Sequence, residues 1–228
     1  MRTIMLILGV ALLPCIAVAQ WGDDFDSYAT GSSLHGQGGW KGWGNDSAYT
    51  AYASDAFAVS MPNSVEVGPN SDLVHEYTGY TSGQWVYTAW QYLPTDFSGQ
   101  SYFILLNTYS DSGTNNWSTQ VRFDSGIGMV ESEHETAQLP LILGQWVELR
   151  NEIDLDANIQ SFYYGGQLLI SKSWTEGVSG GGAFNIGAVD LYGNSATPVY
   201  YDNFSLQVPE PAACMLLLLG AACAFRRR

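Results

Sequence analysis

The chain has 228 residues, with 22 acids against 8 bases and a formal charge of −14. That balance excludes a nucleic-acid partner, because a phosphate backbone is held by clustered Lys and Arg. With 46% hydrophobic residues, 25 Gly, 14 Tyr and 8 Trp, the composition fits a turn-rich sheet protein and excludes wholesale disorder.

Residues 1–19 hold one Arg, a long apolar run and then Ala17-Val18-Ala19. This is the pattern of a secretory signal peptide cut after Ala19. The body, 20–207, shows no sustained 3.6-residue apolar period. It breaks instead into aromatic and β-branched runs separated by Gly, Asn, Asp and Ser every ten or so residues. In chain order these predict strands over Ala48–Ala53, Asp72–Tyr80, Gln84–Leu93, Ser101–Ser110 and Ser118–Asp124. Further strands are predicted over Gln145–Leu155, Ile159–Gly165, Ala183–Gly193 and Val199–Gln207. Roughly a dozen strands in one unit of this size predict an all-β fold, an antiparallel β-sandwich of jelly-roll type.

The run from Gln145 alternates most cleanly. Val147, Leu149, Asn151, Ile153 and Leu155 fall on a core face, and Trp146, Glu148, Arg150, Glu152 and Asp154 on a wet one. Asp156-Ala157-Asn158 then turns into SFYYGGQLLI, a hairpin with its tip at Gly165-Gly166. The body opens with DDFDSYATGSSLHGQGGWKGW and closes with YYDNFSL. In this order of features the body resembles the concanavalin A-like lectin/glucanase superfamily, which includes laminin-G-like domains. The resemblance implies that the first and last strands pair.

The chain ends in Pro209-Glu210-Pro211, an apolar run from Ala212 to Phe225, and Arg226-Arg227-Arg228. Fourteen residues of helix span roughly 21 Å, short of a ~30 Å hydrocarbon core. The three parts, in this order, resemble the PEP-CTERM sorting signal of Gram-negative bacteria. That resemblance implies recognition by an exosortase, loss of the tail, and delivery to the cell surface or an extracellular matrix. Membrane contact is then confined to the 208–228 tail before processing. All three cysteines, Cys15, Cys214 and Cys223, lie in these ends, so the body has no disulfide and carries four bases against 21 acids, a charge of −17.

Four groups of residues could carry chemistry. Glu152, Asp154 and Asp156 alternate, and the row resembles the Glu-x-Asp-x-Glu signature of laminarinases and lichenases. There the outer carboxylates act as nucleophile and acid/base, which requires them about 5–5.5 Å apart. Asp156 is one methylene shorter and starts a turn, so a solvated strand face is the competing reading. Glu131, Glu133 and Glu135 flank His134, and read as a solvated hairpin end. Asp23, Asp24 and Asp26 on the first strand and Asp202 with Asn203 on the last form an oxygen-rich set suited to Ca²⁺, with Asp24, Asp26 and Asp202 as its ligands. Members of the superfamily often hold a structural Ca²⁺ on a last-strand Asp, which points to Asp202; solvated acids are the alternative.

The fourth group is aromatic. Trp40 and Trp43 sit in a glycine-rich loop, Trp90 lies on the strand face opposite Trp85 and Tyr87, and Trp117 precedes a strand. Flat aromatic faces beside amides and carboxylates suit sugar rings, although a tryptophan in a sandwich is also a common core residue. Together these readings predict an exported, exosortase-sorted surface or matrix protein with a lectin-like polysaccharide-binding role. The alternatives are a structural matrix protein without a defined ligand and a glycoside hydrolase of the laminarinase/lichenase type.

Overall fold

The computed structural model describes residues 19–133, 135–177 and 180–209. The sorting tail beyond Pro209, the signal peptide before Ala19 and His134 lie outside the described residues. Among those described, no helix is long and apolar enough to cross a membrane.

The described residues form fifteen strands: β1 (Ala19–Asp23), β2 (Trp40–Gly42), β3 (Tyr52–Ser54), β4 (Ser64–Val67), β5 (Asp72–Glu76), β6 (Gln84–Tyr92), β7 (Gln100–Thr108) and β8 (Asn116–Asp124). They continue as β9 (Met129–Ser132), β10 (Gln138–Pro140), β11 (Trp146–Asp154), β12 (Ile159–Tyr164), β13 (Gln167–Lys172), β14 (Ala188–Tyr192) and β15 (Val199–Gln207). One sheet runs β13-β12-β11-β6-β15-β4-β3 with β1 added beside β15, and the other runs β10-β9-β8-β7-β14-β5-β2. Every named pair is antiparallel. The fold is therefore the expected β-sandwich. The short strands β2, β4, β9 and β10 escaped the sequence reading, because three or four residues are too few to show a period.

β11 follows its alternation residue by residue, with Val147, Leu149, Asn151 and Ile153 buried and their neighbours half-buried. β1 pairs with β15 from Asp23↔Phe204 to Ala19↔Gln207, as the resemblance implied. The segment Ala48–Ala53 departs from its expected strand. A 3₁₀ turn occupies Ser47–Tyr49, started by Asp46, whose side chain accepts from the Ala48 N–H at 2.9 Å. An Asp that satisfies a turn's free N–H competes with extended backbone, and wins here.

The two sheets bury Tyr87, Phe103, Phe123, Phe162, Trp174 and Tyr201 between them. A polar bridge crosses this core. Asn151 on β11 donates to Thr119 Oγ1 on β8 at 2.8 Å and to Gln160 Oε1 on β12 at 3.0 Å, and Gln160 donates to the Ser118 carbonyl at 2.6 Å. Buried amides impose direction as well as attraction, so the bridge fixes where β8 lies against the opposite sheet. That placement matters for what β8 carries on its outer side.

Candidate functional site: an aromatic groove on the seven-stranded sheet

The outer face of the seven-stranded sheet is not a plain wet surface. Val74, Ile104, Leu106 and Ala188 form a second apolar cluster there, covered by Trp43, Tyr102, Tyr109, Trp117 and Tyr192. Between these rings runs a groove of about 340 Å³, lined by Trp43, Asp72, Ile104, Trp117, Gln120, Asp190 and Tyr192. A second lobe of about 580 Å³ shares Trp43, Asp72 and Tyr192 and extends toward Tyr49 and Asn70.

Trp43 follows β2 in a 3₁₀ turn, Trp43–Asn45. Gly42 makes that turn possible: a Cβ on it would lie 2.0 Å from the Asp46 carbonyl oxygen. The Gly44 N–H donates to the Tyr109 hydroxyl at 3.0 Å, and the Tyr109 ring meets the Trp43 ring edge-on at 5.0 Å. Trp117 reaches the same place by another device. Thr119 pairs with Leu105, but Trp117 pairs with Leu106, so a bulge shifts the register at Ser118. Unbulged, Trp117 would share the inward face of Thr119 and Val121; the extra residue turns it outward. The two indoles then lie parallel within 13°, with centroids 6.2 Å apart and both half-buried. This offset-parallel pair forms an extended flat platform.

Beside the platform stand two carboxyls. Asp190 on β14 sits opposite Val74 and Ile104, and Asp72 on β5 sits opposite Tyr192, so both acids occupy the outer face on adjacent strands. Asp190 is only 3% exposed, and Asp72 is half-buried. They share a hydrogen bond with each other, and no N–H or hydroxyl of the described residues reaches the buried Oδ1 of either. Burial pushes the Asp190 carboxyl well above the usual carboxylate range, and the charge of Asp72 pushes it further. Burial also raises Asp72, against the pull of its hydrogen bond with Asp190. One proton shared between two acids is the arrangement that such a site favours.

The remaining expectations divide. Trp43 and Trp117 meet in the groove. Trp40 does not: it is 1% exposed, packed on Phe25 and Phe204, with its indole N–H donating to Asp23 Oδ2 at 2.8 Å. The glycines around it tighten turns over a core residue instead of holding a loop open. Trp90 lies on the outer face of the other sheet, beside Glu148 on β11, and takes no part in the groove.

Glu152 and Asp154 line a different hollow, of about 380 Å³, with Gln84 and Ile159. Both are engaged. Glu152 pairs with Arg150 at 2.7 Å, and Asp154 accepts from the Ala157 N–H at 2.8 Å and from Gln84 at 2.7 Å. Asp156 lies past the end of β11 and accepts from the Gly83 N–H at 2.9 Å, so the expected three-acid face is broken by the turn. Glu131 and Glu133 both pair with Arg122.

The proposed calcium ligands do not assemble. Asp202 is fully buried, and its carboxylate accepts from the N–H groups of Val59 (2.6 Å), Ser60 (3.0 Å) and Asn203 (2.7 Å). Donors aimed at a carboxylate occupy the lone pairs that a cation would need. Asp26 accepts instead from the Asn63 N–H at 3.1 Å, and Asp24 from the Asp26 N–H at 3.2 Å. Among the described residues, no three His, Cys, Asp or Glu side chains converge on a metal position. The residues present do not fit the ion.

No family model matches the chain, and no curated protein is similar to it in sequence. Among solved structures it is similar to a sialidase, with a TM-score of 0.53 and 8% identity over 85% of this chain. The chain spans only 19% of that sialidase's length. It also aligns with the carbohydrate-binding module CBM66 from Bacillus subtilis (TM-score 0.47, 12% identity, 74% of this chain and 95% of that one). An apo Crh5 transglycosylase gives a TM-score of 0.48 at 9% identity, over 86% of this chain and 87% of that one. At 8% identity, the likeness to the sialidase is one of fold: a two-sheet antiparallel sandwich.

Proposed function

We propose that the protein binds polysaccharide at the cell surface or in an extracellular matrix, and that the sugar lies in the groove of Trp43 and Trp117. The observation that carries this reading is the parallel indole pair, half-exposed beside Asp72, Asp190 and Gln120. A sugar ring offers an apolar C–H face and directional hydroxyls. The platform suits the first and the carboxyls and amide suit the second. The signal-peptide pattern and the tail 208–228 support export and exosortase processing as part of the same proposal.

A glycan array followed by isothermal titration, with and without Ca²⁺, tests the reading. At least one oligosaccharide binds, and Trp43→Ala and Trp117→Ala each weaken it by at least about tenfold. Absence of any saccharide binding overturns the reading and leaves a structural matrix role. Processing is tested by Pro209→Ala with Pro211→Ala in an exosortase-bearing host: the variant keeps its tail, and normal tail loss overturns the sorting assignment.

A further inference from the structure

We infer that the Asp72–Asp190 pair is the hydroxyl-recognition element of the groove and that it selects uncharged saccharides over uronic- and sialic-acid sugars. This rests on the groove being the binding site.

Asp190 is nine-tenths buried and more, lines the groove, and has an Oδ1 that no N–H or hydroxyl of the described residues reaches. A buried, unpartnered acceptor costs stability unless something completes it. The Asp72 Oδ1 repeats the situation on the next strand. A carboxyl pair that lines the groove, next to a flat aromatic platform, matches neighbouring hydroxyls on one stacked sugar ring.

The surrounding charges argue against an anionic ligand. Among the described residues, Lys41 and Arg122 are the bases on this outer face, and both are paired. Lys41 on β2 pairs with Glu76 and with Asp111 (2.6 Å), and Arg122 on β8 pairs with Glu131 and with Glu133 (3.0 Å). The phenols Tyr102 on β7, Tyr109 and Tyr192 on β14 cover the same face, and none is a cation. A sugar carboxylate would meet two acids with nothing to balance its charge, at a cost that repels it. Hydrolysis is also disfavoured here, because both stereochemical courses need the carboxyls held apart and these two touch.

The test is isothermal titration of the full chain with laminarihexaose, cellohexaose, mannohexaose and a levan oligosaccharide, against oligogalacturonate, oligoalginate and sialyllactose. The expected result is binding of at least one neutral probe and of no anionic one, with at least tenfold loss in Asp72→Ala. If that variant does not fold, Asp72→Asn, which keeps the side-chain volume but cannot share a proton with Asp190, loses at least threefold. An anionic probe that binds as well as the neutral ones overturns the inference. If Trp43→Ala abolishes binding while both Asp72 variants keep wild-type affinity, the inference falls and the groove stands. If no probe binds at all, both the inference and the groove assignment fall.

Discussion

The indole N–H of Trp40 and the hydroxyl of Tyr28 converge on one oxygen, Oδ2 of Asp23, at 2.8 and 2.6 Å. The other oxygen, Oδ1, accepts from the Phe25 N–H at 2.9 Å. A single carboxylate thus binds β1 to β2, which belong to opposite sheets. Asp23→Ala leaves the Trp40 N–H buried without an acceptor and lowers unfolding free energy by about 2–3 kcal/mol in urea denaturation. A loss below about 0.5 kcal/mol would mean that the bridge contributes nothing.

The two outer faces of the sandwich separate in a substitution pair. Trp90→Ala leaves saccharide affinity within twofold of wild type, whereas Trp43→Ala loses it. Titration monitored by tryptophan fluorescence reads both. Equal losses would place the ligand elsewhere.

Asp190 gives the protein a pH dependence of definite sign. Its folded carboxyl holds its proton more tightly than the unfolded one does. The associated stability is full below about pH 4 and declines as pH rises toward the folded value. Asp190→Asn removes that decline, so the variant gains on the wild type between pH 4.5 and pH 8.5 in urea unfolding. Parallel pH profiles would contradict the assignment.

Chelation addresses the last strand. Because Asp202 is satisfied by N–H donors, excess EDTA leaves the melting temperature of the body unchanged, while Asp202→Ala lowers it. A fall of several degrees on chelation would restore the calcium site.

Glu152→Gln removes only a half-exposed pair with Arg150 and costs under about 1 kcal/mol. Saccharide binding is unaffected; reducing-sugar release from β-glucans that is abolished in Glu152→Gln would restore the hydrolase reading.

What could be read from the sequence follows from the range of the interactions involved. The alternation of β11 is local, so its faces are fixed by neighbouring residues alone. By plain alternation along β8 Trp117 would share the face of Thr119 and Val121, and the bulge opposite Leu105 and Leu106 turns it outward. A bulge depends on the partner strand and leaves no period to read. Asp190 is one acid in the strand Ala188–Tyr192, which alone reads as solvent-facing, and its partner Asp72 comes from the distant β5. Trp40 shows the opposite error: its glycine neighbours suggested openness, where the turns they permit instead press the ring into Asp23, Phe25 and Phe204.

β15 is flanked on both sides along its length. β6 runs along one edge, and β4, at Val199–Tyr201, and then β1, at Phe204–Gln207, share the other. A pull transmitted through Gln207 therefore meets hydrogen bonds on both sides at once, and these must be sheared together because no free edge is available to unzip. A strand bonded on both edges resists tension applied at its end better than one with a free edge, so load on Gln207 is shared by three neighbours.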